Sequence, residues 1–518
     1  MGKRVLLVQP NYYYQRKSGV WTIHPPMGLA YIAAVLEKNN IPVKILDANA
    51  LNLSIEQTVK EISDWNADMV GISILTPGHN FAIEIAKKLP PSVMSVAGGP
   101  HAAAIPEILL KNGFSIVARG EGEETCLDLA LGKNLIEIPG ISFKDGGKIK
   151  HNPDRAPLDI NSLPIPARHL LISNGVDKPY SSETTQYFPW ATITTSRGCP
   201  YSCNYCNKLT FGRQIRYRSP ENVMEEIDFL VKNCQIKEIS VSDDCFNFDL
   251  ARAKKILDLL ISRDYKINIR FSNGLRADKI DEEFLEKAKK AGCSYIAIGI
   301  ESGSQEILNR IPKGETLDDM RKAVAMIKKA GIPITGFFII GLLGDTKETM
   351  EKTINFAKEL GLDIASFNMA VPYPGTKMWD EIEENRGEIF LKDWNDFHHT
   401  SGRCLYSMPG MSDPKTIEMM YRKAISRFYF RPNYILKQVF KIRSFSQIKN
   451  ILSVINFEAE NVKYIAASSA IRESLASLKN FECYEIKNLE KKEAIEFAES
   501  IIGKNPASAD EIWALSDG

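Results

Sequence analysis

The chain has almost no excess charge of either sign: 65 Lys and Arg stand against 64 Asp and Glu, a formal net charge of +1. So even a balance gives no electrostatic footprint for nucleic acid or for an acidic partner. Long hydrophobic runs are missing too. The longest, around Phe337 to Leu343, falls far short of the ~20 residues a membrane-spanning helix needs. The N-terminus, Met1-Gly2-Lys3-Arg4-Val5-Leu6, enters a strand-like segment at once, unlike a signal peptide, and lacks the Ser or Thr of a myristoylation signal. Paired cysteines are also lacking. Nine cysteines form no disulfide framework, which fits a reducing compartment. A cytoplasmic protein is expected. With 44% hydrophobic and 25% charged residues the chain is an ordinary globular one, and its 518 residues suggest about three domains.

What is present is concentrated in one stretch, Thr194-Thr195-Ser196-Arg197-Gly198-Cys199-Pro200-Tyr201-Ser202-Cys203-Asn204-Tyr205-Cys206. Three cysteines at C-x3-C-x2-C follow a β-branched strand, Ala191 to Thr195. Three thiolates at this spacing suit three corners of a cubane 4Fe–4S cluster and leave one iron open. Arg197 and Gly198 are expected to give an electropositive approach that favours thiolate. The alternative is a zinc knuckle or three unrelated buried thiols. A structural zinc site needs a fourth Cys or His, and the nearest histidine in sequence, His169, lies thirty residues before Cys199.

Upstream, residues 1 to about 135 alternate continuous apolar strands with amphipathic helices. The strands are Arg4–Pro10, Val43–Asp47, Met69–Leu75, Val93–Gly99 and Phe114–Val117. This pattern predicts a parallel sheet covered on both faces, a flavodoxin-like (Rossmann-like) doubly wound α/β domain with its ligand at the carboxyl ends of the strands. Those ends carry Asp47-Ala48-Asn49, Ser73-Ile74-Leu75, Gly98-Gly99-Pro100-His101 and Gly120-Glu121-Gly122-Glu123. Paired glycines let a backbone approach a large planar ligand, although each turn alone also reads as an ordinary βα connection.

Residues 141–185 read as a hairpin, Ile141 to Ile149, and linkers. From 186 to about 400 the alternation restarts, with strands at Ala191–Ser196, Glu238–Asp243, Ile267–Ser272, Ser294–Ile300, Ile334–Ile340 and Asp363–Ala370. Six βα units predict a partial, six-stranded TIM-like barrel with chemistry at the carboxyl ends. There lie Asp243-Asp244, Asn273 and Gly299-Ile300-Glu301-Ser302-Gly303. Glu301 could accept from ribose hydroxyls or an ammonium group, or cap the helix that follows. Residues 401–518 read as mainly helical, with an aromatic cluster at Arg427 to Tyr434 that is either a pocket wall or domain packing.

The cysteine stretch, including Tyr205 before the third cysteine, resembles the signature of radical S-adenosylmethionine enzymes. The resemblance implies that Cys199, Cys203 and Cys206 hold a 4Fe–4S cluster whose open iron chelates S-adenosylmethionine, and that reductive cleavage releases a 5′-deoxyadenosyl radical. It implies cofactor contacts from Tyr205, Asp243, Asn273, Glu301, Ser302 and Gly303. Pro25-Pro26-Met27-Gly28-Leu29-Ala30, Ser73-x-Leu75 and Gly98-Gly99 resemble the cobalamin-dependent members, which places Asp47, Asn49, Ser73, Leu75, Gly98, Gly99 and Glu121 at cobalamin for residues 1–140. Many cobalamin domains use Asp-x-His-x-x-Gly, whose histidine ligates cobalt. Here the stretch is Asp47-Ala48-Asn49-Ala50-Leu51-Asn52, so no histidine of this motif is expected under the cobalt, and His24, His79 and His101 are the remaining candidates. Only Cys126 precedes the cysteine loop, which excludes a second N-terminal cluster of the methylthiotransferase kind.

The expected activity is methylation of an unactivated carbon in a small molecule or lipid, with a flavodoxin or ferredoxin as electron donor. A radical cyclase or rearrangement enzyme with the same cofactors, and a non-catalytic corrinoid or redox sensor, are the alternatives.

Overall fold

Five parallel strands, β1 (Val5–Gln9), β2 (Val43–Asp47), β3 (Met69–Ser73), β4 (Met94–Gly98) and β5 (Ile116–Ala118), open the chain in the order 2-1-3-4-5. Alternate residues of β1 go to opposite faces: Val5 and Leu7 join one buried cluster, Leu6 and Val8 another. That is why these strands read as continuous apolar runs rather than alternating ones. The helices between them carry their own start signals; Ser54 forms a capping box with Gln57 ahead of Ile55–Asp64. Strand order reverses between β1 and β3, the crevice where doubly wound folds bind ligands. The structure is a computed structural model that describes residues 3–12, 22–182, 185–431 and 434.

The predicted hairpin is present as β6 (Ile141–Asp145) and β7 (Lys148–His151), but it is more than a connector. β6 pairs antiparallel with β5, so the first sheet has seven strands. A polar hairpin edge closes what would otherwise be an exposed parallel edge.

The second sheet is six-stranded and wholly parallel, in the order β15-β14-β13-β12-β11-β8, from β8 (Trp190–Ile193), β11 (Glu238–Val241), β12 (Asn268–Leu275), β13 (Cys293–Glu301), β14 (Ile334–Ile340) and β15 (Ile364–Met369). Strands appear in chain order across it, an open fragment of a βα barrel. Gly292, Gly331 and Gly361 follow helices at φ of +94°, +67° and +59°, left-handed caps that only glycine adopts without strain. The first predicted strand breaks in two: β8 stops at Ile193, and Ser196–Arg197 is a separate two-residue strand, β9, paired antiparallel with β10 (Arg216–Tyr217). The cysteine loop hangs between β9 and β10.

The chain divides into one unit of residues 1–14 and 21–418, which holds both sheets, and a second of residues 15–20 and 419–518. A helix spans Pro414–Tyr429. In the second unit Phe428, Tyr429 and Tyr434 meet ring to ring at 5.0–5.4 Å, and the Arg431 guanidinium lies 4.3 Å from the Phe428 centroid, so the aromatic cluster packs on itself. Expectations for residues 435–518 lie outside the described residues. No described helix is long and apolar enough to cross a membrane.

Candidate active site

Cys199 is buried, and Cys203 and Cys206 are half-buried. The loop turns at Gly198, whose φ of +87° and contact with the Gln214 carbonyl leave no room for a side chain. Among the described residues no three His, Cys, Asp or Glu side chains converge as the ligands of one metal ion would. The thiols instead interact through Cys206, which feels both Cys199 and Cys203. A cubane takes each thiolate at a different iron, so its ligands need to be neighbours rather than to meet at a point. Burial pushes the Cys203 thiol up to about 11 and raises Cys206; the cation opposing this at Cys203 is Lys313, and at Cys206 it is Lys208, which donates a hydrogen bond to the thiol. The expected role of Arg197 is corrected here. Its guanidinium is taken up by carboxylates, donating to Glu121 Oε1 at 2.7 Å and to Glu123 Oε1 at 2.8 Å.

The barrel ends supply a second group. Glu301 ends β13 at φ +65°, a left-handed conformation unusual for a residue with a side chain. Lys313 holds it there, donating to Glu301 Oε1 at 2.9 Å and also to the Gly299 carbonyl, and pairing with Glu315 at 3.2 Å. A Cβ at Gly299 would lie 2.8 Å from Lys313 Nζ, so that glycine makes room for the pair. Tyr205 donates to Glu301, and Arg276, paired with Glu315, stacks 3.5 Å over the Tyr201 ring. Glu301 and the cysteine loop are thereby one network. It does not cap the next helix, whose start at Ser304 has no side-chain cap.

The other expected contacts are Asp243, just after β11, Asn273, within β12, and Ser302 and Gly303, just after β13. The Asp243 carboxylate is 2% exposed and accepts from Thr195 N, Thr195 Oγ1 and Ser196 Oγ, each at 2.6 Å, so it anchors the entry to the cysteine loop. Ser302 and Gly303 bond to Thr353 Oγ1, and a Cβ on Gly303 would sit 2.6 Å from Phe356 Cβ; these two fit the barrel against the helix Lys347–Glu359. Asn273 stays exposed at the mouth, donating to the Asp243 carbonyl at 2.8 Å.

At the carboxyl edge of the first sheet, Asp47 caps the short helix Ala48–Leu51 and accepts from the Tyr180 hydroxyl at 3.0 Å, while Asn49 Oδ1 accepts from Tyr12 N at 3.0 Å. Both are buried. Gly99, at φ +91°, lies against Ile74, and its Cβ position is 3.4 Å from Ser73 Oγ. Next to it Gly98 has no atom within 4 Å of a Cβ position, and Leu51 and Leu75 are 49% and 46% exposed. His79 Nδ1 and His101 Nε2 share a hydrogen bond of 2.8 Å, both rings pack on Trp394, and His101 Nδ1 is buried without a partner.

Comparison with known proteins supplies the rest. The Radical SAM superfamily matches residues 193–357 and the B12 binding domain residues 20–130. An uncharacterized methyltransferase of Pyrococcus horikoshii is 34% identical over 453 residues, covering 85% of this chain and 96% of that protein. The chain is a cobalamin-dependent radical S-adenosylmethionine enzyme. The anaerobic magnesium-protoporphyrin IX monomethyl ester cyclase of Rubrivivax gelatinosus is 29% identical over 411 residues, 75% of this chain and 71% of that one. A solved structure of the cobalamin-dependent S-adenosylmethionine radical enzyme OxsB, with aqua-cobalamin and S-adenosylmethionine bound, superposes with a TM-score of 0.67 at 18% identity, over 99% of this chain and 82% of that one.

The family brings a 4Fe–4S cluster, S-adenosylmethionine and cobalamin. The residues present fit them. Three cysteines without disulfide partners share one loop, and the open space at Gly98 at the end of β4, with Leu75 exposed after β3 and Leu51 after β2, lies along a sheet edge that a large flat ligand would cover. The amide of Asn49 holds backbone rather than facing out, and Glu121 is engaged by arginines. Sequence reasoning missed Lys208, Lys313, Arg216 and Trp394. Lone basic and aromatic residues in loops carry no pattern; Lys208 lies in the cysteine loop itself, but only the fold brings Lys313 and Trp394 to their partners.

Proposed function

We propose that the enzyme methylates an unactivated carbon of a small-molecule or lipid substrate, with Cys199, Cys203 and Cys206 holding the cluster. The observation that carries this reading is the placement of the cysteine loop and the glycine-lined edge of the first sheet within one unit. When bound, the three cofactors supply a 5′-deoxyadenosyl radical and a transferable methyl group. Glu301, oriented by Lys313 and Tyr205, would accept from the ammonium or ribose of S-adenosylmethionine, and the exposed Asn273 would join it. Ser73, Leu75, Gly98 and Gly99 would seat cobalamin by backbone and apolar contact. Asp47 and Asn49 act behind them by fixing the neighbouring turn.

We place the enzyme in the cytoplasm with a flavodoxin- or ferredoxin-like electron donor and no nucleic-acid partner, in keeping with the even charge and the oxygen sensitivity of such clusters. The test is product analysis with methyl-labelled S-adenosylmethionine. Turnover is expected to give S-adenosylhomocysteine and 5′-deoxyadenosine in about equal amounts with label in the product, because the methyl and the radical each consume one S-adenosylmethionine. The relative named as a cyclase keeps a second reading in view. Substrate consumption with 5′-deoxyadenosine but neither S-adenosylhomocysteine nor label transfer would establish it instead.

A further inference from the structure

β9 and β10 place Arg197 directly opposite Arg216 across a two-residue antiparallel pair. Two like charges in register repel, and this ladder, although Asp243 anchors Ser196 on its entry strand, is only two residues long where it closes the loop of residues 198–215 that carries the three cysteines. What sits between them is Glu121, from the turn after β5. Its Oε1 accepts from Arg197 Nη1 at 2.7 Å and its Oε2 from Arg216 Nη1 at 2.7 Å, with the Leu158 N–H donating to the same Oε2 at 3.2 Å. Glu123, at the start of the helix Glu123–Ala130, takes the other arm of Arg197 at 2.8 Å. The Arg197 guanidinium lies between Tyr31 of the helix Met27–Lys38 and Phe211 of the cysteine loop, 5.0 and 5.1 Å from their centroids. Side chains of all four charged residues are 4–11% exposed. Two guanidinium groups and two carboxylates balance, so the group is neutral as a whole and needs each member.

We propose that Glu121 is a positioning residue that clamps both ends of the cysteine loop to the first sheet and so sets the separation between the cluster and the cobalamin edge. This rests on the reading above that the two regions hold those cofactors. The carboxylate contacts neither the thiols nor Gly98; it acts through Arg197 and Arg216. A radical formed at the cluster and a methyl delivered from the other side must meet at one substrate carbon, and small misplacements are costly in such arrangements.

The test uses full-length protein loaded with cluster and cobalamin, reduced to the paramagnetic cluster and cob(II)alamin. Pulsed electron paramagnetic resonance then reads the distance between the two unpaired spins. Wild type is expected to give one narrow distribution, as is Lys254→Met, which removes a remote ion pair on the helix Leu250–Arg263. Glu121→Gln and Arg216→Met should broaden or shift it while iron and cobalamin contents stay at wild-type levels. Unchanged distributions in both variants would overturn the proposal. If Glu121→Gln cannot be loaded, Arg216→Met decides in the same way. If wild type takes up no cobalamin, the functional reading fails separately, and amide hydrogen exchange still decides the clamp. Exchange over residues 198–217 must quicken in Glu121→Gln and Arg216→Met but not in Lys254→Met, and an unchanged rate refutes it.

Discussion

The cysteine loop and the second βα turn, Asp47 to Asn52, both sit at the carboxyl edge of a parallel sheet, and both carry residues with evident chemistry. They use them differently. In the cysteine loop the thiols cap no helix and hold no distant backbone; Cys206 bonds only to Lys208 and Asn207 beside it, and neighbouring charges hold the loop around them. In the second turn the polar side chains are themselves the fold: Asp47 caps a helix and holds Tyr180, and Asn49 holds Tyr12. A cofactor bound through covalent metal–sulfur bonds demands particular atoms at particular spacings. One seated by shape demands empty space and close backbone.

The sharpest break of this contrast is at the thiols. Replacing Cys199, Cys203 and Cys206 together by Ala should abolish the cluster while the first sheet remains folded, as judged by iron content and circular dichroism. A triple variant with full iron content would remove the central assignment. Next in size is Lys313→Met. Removing one member of a buried charge group costs about 3–5 kcal/mol, so chemical denaturation should show a large loss of stability, accompanied by weaker S-adenosylmethionine binding. A variant that loses neither would separate Lys313 from Glu301.

Glycines sharpen the comparison further. Gly303→Ala would press a methyl against Phe356 and the Lys352 carbonyl, both 2.6 Å from the Cβ position, and should destabilise by about 1–3 kcal/mol. Gly98→Ala meets nothing, so its melting temperature should match wild type while cobalamin retention falls. If both variants behave alike, ligand-serving and fold-serving glycines are not distinct here.

The smallest effect concerns the histidine pair. Burial lowers His79 to about 4 and His101 to about 3, from 6.5, with Asp393 partly opposing the shift at His79 and the His79 charge adding to it at His101. The unfolded chain therefore binds more protons than the folded one between those values and pH 6.5. The stability tied to the pair is complete above pH 6.5 and is lost as pH falls toward 3. A His79→Gln, His101→Gln variant should show a shallower decline of unfolding free energy between pH 6.5 and 4. Because the two rings bond to each other and Asn49 bonds to Tyr12, cob(II)alamin bound to wild type should lack the nitrogen splitting of an imidazole ligand. A split signal that vanishes in this variant would place a histidine on cobalt.

By itself the sequence determined the parallel strands of both sheets, nearly residue for residue at Val43–Asp47 and Ile334–Ile340, because apolar patterning is a local property. It also determined the cysteine loop, because metal ligation depends on residue types at short spacing. Only the tertiary structure decided which polar residues serve the ligand and which serve the fold. Nothing near Asp243 in the chain shows that its carboxylate would turn inward onto Thr195 and Ser196, 48 and 47 residues away. Nothing near Glu121 shows that two arginines, 76 and 95 residues on, would close on it. A buried charge is placed by whatever opposite charge the packed chain brings within hydrogen-bonding distance, and that distance exists only in three dimensions.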